Sequence, residues 1–402
     1  MSQFRGLHFL GALVFLAAFG TVSASAQEIK TVFVIAMENH NWTQPANQFT
    51  GGIQQIYLNP AAPFINSLVN GNAWALVNGQ AVNISEQVAY ATAYHNVLVG
   101  TGAHIHPSEP NYLWAEAGTN FGVLNDNDPF SANGPTNQTT SAHLVTLLTN
   151  AGKTWRSYQE DTDLITVTGQ LTNVPLPRNQ WTVPLVSHSG VFATGFFNAF
   201  NGANQFNYAA KHNPQVFFTD SNGGFDLTPS NPLSQQYAPL QQLFADLAND
   251  TVADYNWISP NQYNDQHTTL TGGYKGLTGD AAKIKQGDDF LSQLIPAIMA
   301  SDAYKNHGAI IIWWDESESD GVAGDNGDDF NHTIGEIVIS ERAHTNVNGL
   351  PYASPVNFTH SSDLRTMQEI FRTEGPFLGD AATPGTNDLS DLFQPGAIPK
   401  KP

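Results

Sequence analysis

Thr31-Val32-Phe33-Val34-Ile35-Ala36-Met37, followed at once by Glu38-Asn39, is a continuous apolar run rich in β-branched residues. It is short, lacks the alternation of a strand wetted on one face, and stops abruptly at polar side chains. Those features predict a strand buried on both faces, as in a parallel sheet. Gly308-Ala309-Ile310-Ile311-Ile312-Trp313-Trp314 repeats the pattern and ends in Asp315-Glu316. Residues 252–258 and 334–340 are further candidate strands. Stretches 233–248, 280–300 and 362–372 place apolar residues at helical spacing. Strands alternating with helices predict an α/β fold, with a mostly parallel central sheet flanked by helices on both faces.

Over about 120–231 the composition shifts to Asn, Gly, Thr and Pro, with short apolar pieces such as Val216-Phe217-Phe218. This stretch reads as a loop-rich insertion or cap within a single domain spanning 27–402, and the Pro-rich tail after Asp380 as a surface extension. Residues 1–26 read as a signal peptide: Arg5, an apolar stretch over 10–19, then the small-residue cleavage site Ala24-Ser25-Ala26. That stretch is about half the ~20 residues a spanning helix needs. The expectation is a periplasmic or secreted protein without stable membrane insertion.

The chain has no cysteine. Disulfides, thiolate metal ligands and a cysteine nucleophile are thereby excluded, and export without disulfides favours a bacterial periplasm or medium. Any metal must rest on oxygen and imidazole ligands. The formal net charge is −20, and the leader removes only the cation Arg5. Such a surface repels nucleic acid and anionic lipid. It would also repel a phosphate ester, unless a bound cation reverses the field locally.

Ligands of open α/β sheets bind beyond the carboxyl ends of strands. The two strongest runs end there in Glu38-Asn39 and Asp315-Glu316, the oxygen donors a hard divalent metal needs. Taken singly, each carboxylate could equally be a helix cap. His104-Ile105-His106-Pro107-Ser108-Glu109-Pro110-Asn111-Tyr112 offers a serine between two prolines, a pre-organised position for a nucleophile. A serine hydroxyl needs activation, which metal coordination supplies, and Asn111 can donate its amide to a phosphoryl oxygen. A Pro-rich turn capping the next helix is the bland reading of the same residues. Ser259-Pro260-Asn261-Gln262-Tyr263-Asn264-Asp265-Gln266-His267 follows another strand, and Asp265 and His267 are spaced to converge on one point. His332 sits among acidic neighbours; His360 has little beside it in sequence.

Taken together, these segments resemble the phosphoesterase family of bacterial acid phosphatases and phospholipases C within the alkaline phosphatase superfamily. Residues 33–41 (FVIAMENHN) are similar to its strand with a Glu-Asn metal pair, and 106–112 (HPSEPNY) to its nucleophile segment. Residues 258–267 (ISPNQYNDQH) resemble its Ser-Pro-Asn segment ending in Asp-x-His, and 311–332 its acidic metal pair with a downstream histidine. Residues 359–371 (THSSDLRTMQEIF) look like its closing helix. The resemblance implies that Glu38, Asn39, Asp315 and Glu316 hold a metal that Ser108 touches. Asp265, His332 and His106 would line the substrate pocket, with His95 and His104 as alternatives to His106. Two departures stand out: Asn331 precedes His332 where relatives often carry Asp, and Glu316 replaces an Asp.

The expected activity is hydrolysis of phosphate esters through a phosphoserine on Ser108, with a divalent metal (Ca, Mg or Zn) and His267 protonating the leaving group. Two alternatives stand beside it. One is a phospholipase C, its aromatic stretch 181–206 receiving a choline cation. The other is a non-catalytic exported protein with a calcium loop over 315–329.

Overall fold

A computed structural model describes residues 28–44, 54–96, 98–99, 103–318, 333–346 and 348–401, with 98–99 and 103–104 as backbone only. The signal-peptide reading and His332 lie outside the described residues, as does most of the acidic loop after Glu318.

Eight strands form the central sheet: β1 (Thr31–Met37), β2 (Val88–Ala91), β3 (Trp155–Gln159), β4 (Tyr237–Pro239), β5 (Tyr255–Ser259), β6 (Gly308–Trp314), β7 (Glu336–Ser340) and β8 (Tyr352–Ser354). Their order is β4-β3-β5-β1-β6-β7-β2-β8. Only the β6/β7 and β7/β2 pairs are antiparallel; the other five are parallel. β1 and β6 lie side by side at the centre, and Met37 pairs with Trp314. The residues following each, Glu38 and Asp315, therefore emerge together at the same edge.

The helices that cover the sheet are α1 (Pro63–Asn70), α2 (Ser108–Ala117), α3 (Leu144–Asn150), α4 (Gln241–Ala248), α5 (Gly279–Ala300) and α6 (His360–Ile370). α2, α3 and α6 pack on one another, and α5 packs on α1 and α4. Alternation along β6 shows the two faces. Trp313 meets Tyr112 of α2 and His360 of α6, with ring centroids 5.2 and 4.7 Å apart. Trp314, on the opposite face, donates its indole N–H to Gln266 at 2.9 Å. Burial of β1 and β6 is nearly complete, as a strand covered on both sides requires.

Four expectations need correction. Stretch 120–231 is not wholly an insertion, because β3 and α3 within it belong to the central layers. Two hairpins, Leu164–Val167 with Gln170–Pro175 and His188–Val191 with Gln205–Tyr208, lie outside the central sheet. Stretch 233–248 is a helix only from Gln241, because Tyr237–Pro239 is a sheet strand. Proline disfavours helix in the residue before it, and at the sheet edge its missing N–H is tolerated. The tail after Asp380 is not a surface extension. Leu389, Leu392, Phe393, Ala397 and Ile398 are buried in the core, and Ala397 accepts the backbone N–H of Ile29. Residues 334–340 are split by Gly335, where a Cβ would lie 2.2 Å from the Trp314 ring.

Candidate active site

Glu38 and Asn39 turn away from the end of β1. Asn39 takes a left-handed φ of 46°, a conformation asparagine tolerates better than most residues. This aims its backbone N–H at Asp315 Oδ1, 3.0 Å away. The neighbouring segments are tied at the backbone: Glu38 N–H donates to Asp265 O at 2.8 Å, and Asp315 N–H to Met37 O. Three chain regions far apart in sequence thus meet within one turn.

Ser108 opens α2 and is buried. Its hydroxyl faces Glu316 Oε1 at 3.0 Å, Glu38 Oε2 at 3.2 Å and Asn39 Oδ1 at 3.5 Å. The nucleophile candidate and three of the four candidate metal ligands are therefore in mutual contact. Asn111, one helical turn on, donates its amide to Ile105 O at 2.9 Å and to Glu316 Oε2 at 3.1 Å. In this arrangement Asn111 orients Glu316, and it is the amide oxygen that has no partner. His106 Nδ1 also reaches Glu316 Oε2, at 2.7 Å. His95 instead lines a separate cleft with Thr359 and Asp380, so of these two histidines His106 is the one at the site.

Glu38, Asp315 and Glu316 each offer an oxygen within 4.8 Å of the others. Burial, and then the neighbouring acid, push the carboxyls of Glu38 and Asp315 well above the usual range. Buried carboxylates this close need either protons or a cation. Asp315 Oδ2 is buried with no hydrogen-bond partner. An all-oxygen set with an orphaned carboxylate oxygen fits a hard divalent ion.

Asp265 and His267 lie on the next strand end, as expected. Asp265 Oδ1 accepts the His267 backbone N–H at 2.8 Å. Burial, followed by repulsion from Lys211, pushes the His267 ring down to about 3, so the resting ring is neutral.

Two site residues were missed in the sequence: His212 and Lys211. His212 is buried between the segments, with Nε2 3.1 Å from Glu38 Oε1 and Nδ1 3.2 Å from Asp265 Oδ2. These are close approaches without hydrogen-bond angles, and burial, followed by repulsion from Lys211, holds the ring well below its ordinary basicity. Tyr112 stacks on its ring at 5.1 Å and donates its hydroxyl to Glu38 Oε1. Lys211 Nζ bonds Asp126 Oδ2 at 2.9 Å, and Asp126 Oδ1 accepts the Glu109 N–H beside Ser108. Burial opposes the Lys211 charge, but Glu38 and Asp126 outweigh it and hold its basicity above the ordinary value. No strand run or motif spacing marks Lys211-His212; the only available signal was a histidine just ahead of an apolar piece.

In the aromatic stretch 181–206, Trp181, Phe192 and Phe206 are buried, whereas Phe197 is exposed. Among the described residues no helix is long and apolar enough to cross a membrane.

Several known proteins are similar to this chain. An acid phosphatase from Aspergillus fumigatus is 30% identical over 195 residues, 47% of this chain and 34% of its own. A probable acid phosphatase from Kluyveromyces lactis is 26% identical over 241 residues, 59% of this chain and 44% of its own. A phosphatidylinositol-3-phosphatase from Mycobacterium tuberculosis is 26% identical over 260 residues, 65% of this chain and 58% of its own. The matched regions span less than two thirds of each of these relatives. Among solved structures, a Vibrio parahaemolyticus protein of the alkaline phosphatase superfamily has a TM-score of 0.44 and 11% identity, covering 87% of this chain and 67% of that one. The profile described as "Phosphoesterase family" matches residues 20–373, a span that holds every site segment from Glu38 to Glu316. The chain belongs to the phosphoesterase family.

Proposed function

We propose that this chain is an exported, divalent-metal-dependent phosphoesterase of acid-phosphatase type, hydrolysing small phosphate esters through a phosphoserine on Ser108. The observation that carries the reading is the Ser108 hydroxyl held between Glu38 and Glu316 at 3.2 and 3.0 Å. Glu38, Asn39, Asp315 and Glu316 would hold the cation. When bound, it supplies Lewis-acid chemistry, easing ionisation of a nearby hydroxyl and offsetting charge on phosphoryl oxygens.

The chain's own residues do the rest. Ser108 Oγ passes its proton to Glu316 and attacks phosphorus in line as the ester oxygen departs. His267 protonates that oxygen, its ring taking up a proton when the anionic ester enters and offsets its burial. Water then attacks the phosphoserine, giving a proton to His267, while Glu316 returns its proton to the departing Ser108 oxygen, so that phosphate is released and the hydroxyl restored. His212 and Tyr112 keep Glu38 in place, Asn111 and His106 do the same for Glu316, and Lys211 adds positive charge beside α2. The acid phosphatases among its relatives support the reading.

The test is a panel of p-nitrophenyl phosphate, bis-p-nitrophenyl phosphate and p-nitrophenyl phosphorylcholine, with and without chelator. The monoester should turn over fastest, stop on chelation and recover with a divalent ion. Faster release from the phosphorylcholine ester would move the assignment to a phospholipase C. Turnover indifferent to chelation would overturn the metal reading.

A further inference from the structure

Behind the site runs a buried chain of polar groups that the proposed reaction does not use. Glu336 of β7 and Asp363 of α6 lie carboxyl to carboxyl, both buried. Tyr94 donates its hydroxyl to Asp363 Oδ2 at 2.5 Å. Trp313 Nε1 lies 3.2 Å from that hydroxyl and 3.1 Å from His360 Nδ1, and the hydroxyl is 2.9 Å from the same Nδ1. On the far side of the ring, His360 Nε2 lies 2.5 Å from the carbonyl oxygen of Asp315. His360 is the first residue of α6, where Thr359 and Ser362 form a capping box that fixes the helix start.

The protons in this chain can be assigned. An indole N–H only donates. The Asp315 carbonyl only accepts, so the neutral ring carries its proton on Nε2 and presents a lone pair at Nδ1 to the Trp313 N–H. That proton is given to the Asp315 peptide. Apolar side chains would fill the same space at lower cost, so the hydrogen-bonded run from Asp363 through Tyr94, Trp313 and His360 to the Asp315 carbonyl points to a positional task.

We infer that His360 is a positioning residue: its Nε2–H pins the Asp315 carbonyl and thereby sets the Asp315-Glu316 pair in the geometry that receives the cation. The inference rests on the metal reading above. Removing a partner of this kind behind metal ligands weakens metal binding by roughly 10- to 100-fold.

The experiment is calorimetric titration of metal-free protein with Mn²⁺, alongside melting temperatures of the metal-free forms. His360→Leu should bind more weakly by roughly that factor. His360→Gln, whose amide N–H can reach the same carbonyl, should recover most of the loss. A His360→Leu variant that binds like wild type overturns the inference, as does His360→Gln if it is as weak as His360→Leu. Should His360→Leu not fold, Trp313→Phe takes its place by removing the indole donor that holds the ring at Nδ1. Weakened Mn²⁺ binding at an unchanged melting temperature then supports the inference, and unchanged binding overturns it. Wild-type protein that takes up no Mn²⁺ would instead bring down the metal reading itself.

Discussion

Ser108 Oγ, at the first residue of α2, lies 3.0 Å from Glu316 Oε1, just beyond the end of β6. No short-range feature links the two; the contact exists because α2 packs over the carboxyl ends of the central strands. If this hydroxyl is the nucleophile, Ser108→Ala should lower p-nitrophenyl phosphate turnover by about 10⁴-fold or more. It removes one buried oxygen and leaves the acidic ligands, so folding and metal content should persist. Retention of more than a small fraction of kcat would end the assignment.

The acidic cluster makes a prediction about pH. Glu38 and Asp315 are pushed upward by burial and by their acidic neighbours. In the metal-free protein they hold protons that the unfolded chain, with carboxyls near about 4, has released. Folding then takes up protons, so their contribution is fully present below the unfolded values and is lost as pH rises through the raised folded ones. A cation replaces those protons and removes the loss. His212 and His267, both lowered, contribute the opposite slope, which for His267 runs from about 3 up to the unfolded value near about 6.5. Comparing the two forms isolates the acids. Between about pH 5 and about pH 8 the melting temperature with EDTA should fall relative to that with excess Mn²⁺, the gap widening throughout. Parallel curves would contradict it.

What could be read from the sequence depended on how each residue is positioned. Glu38 and Asp315 were legible because each directly follows a continuous apolar strand. Ser108 was legible through its flanking prolines and family pattern. β3 escaped because Ser157 and Gln159 are fully buried yet polar, the Gln159 amide donating to the Ser157 and Ser259 hydroxyls and Ser157 donating to Asn213. Apolar patterning cannot report a strand whose core positions are hydrogen-bonded. His212 escaped because its place is set by Tyr112 stacking from another element, a long-range contact without local signature. His360 looked idle in sequence for the same reason, its role resting on a carbonyl 45 residues away in the chain.

The proposed role of His267 can be separated from mere structural support by the leaving group. A p-nitrophenolate departs with little need of a proton, whereas an alkoxide requires one. His267→Asn should therefore slow hydrolysis of an alkyl phosphate such as glycerol phosphate by roughly 10²-fold, and that of p-nitrophenyl phosphate by less than about tenfold. Equal losses on both esters would assign His267 to positioning instead of proton transfer.

Gly287 in α5 offers a test of how the Asp265–His267 turn is held. A Cβ at this position would lie 2.3 Å from Gln266 Cγ and 2.7 Å from Met37 Cε. Gln266 is a clamp: it accepts from Trp314 Nε1 at 2.9 Å, donates to Ile284 O at 3.1 Å, and sits at a φ of 84°. Its side chain cannot retreat without giving up one of those bonds, and its left-handed backbone has little freedom to absorb the shift. Gly287→Ala should cost about 1–3 kcal/mol of stability by overpacking. Because Gln266 lies between Asp265 and His267, the same displacement should lower kcat while leaving Mn²⁺ affinity near wild type. Thermal melts, steady-state kinetics and metal titration read the three quantities separately. A variant with unchanged stability and kcat would show that the helix can move aside, and that this contact does not hold the turn.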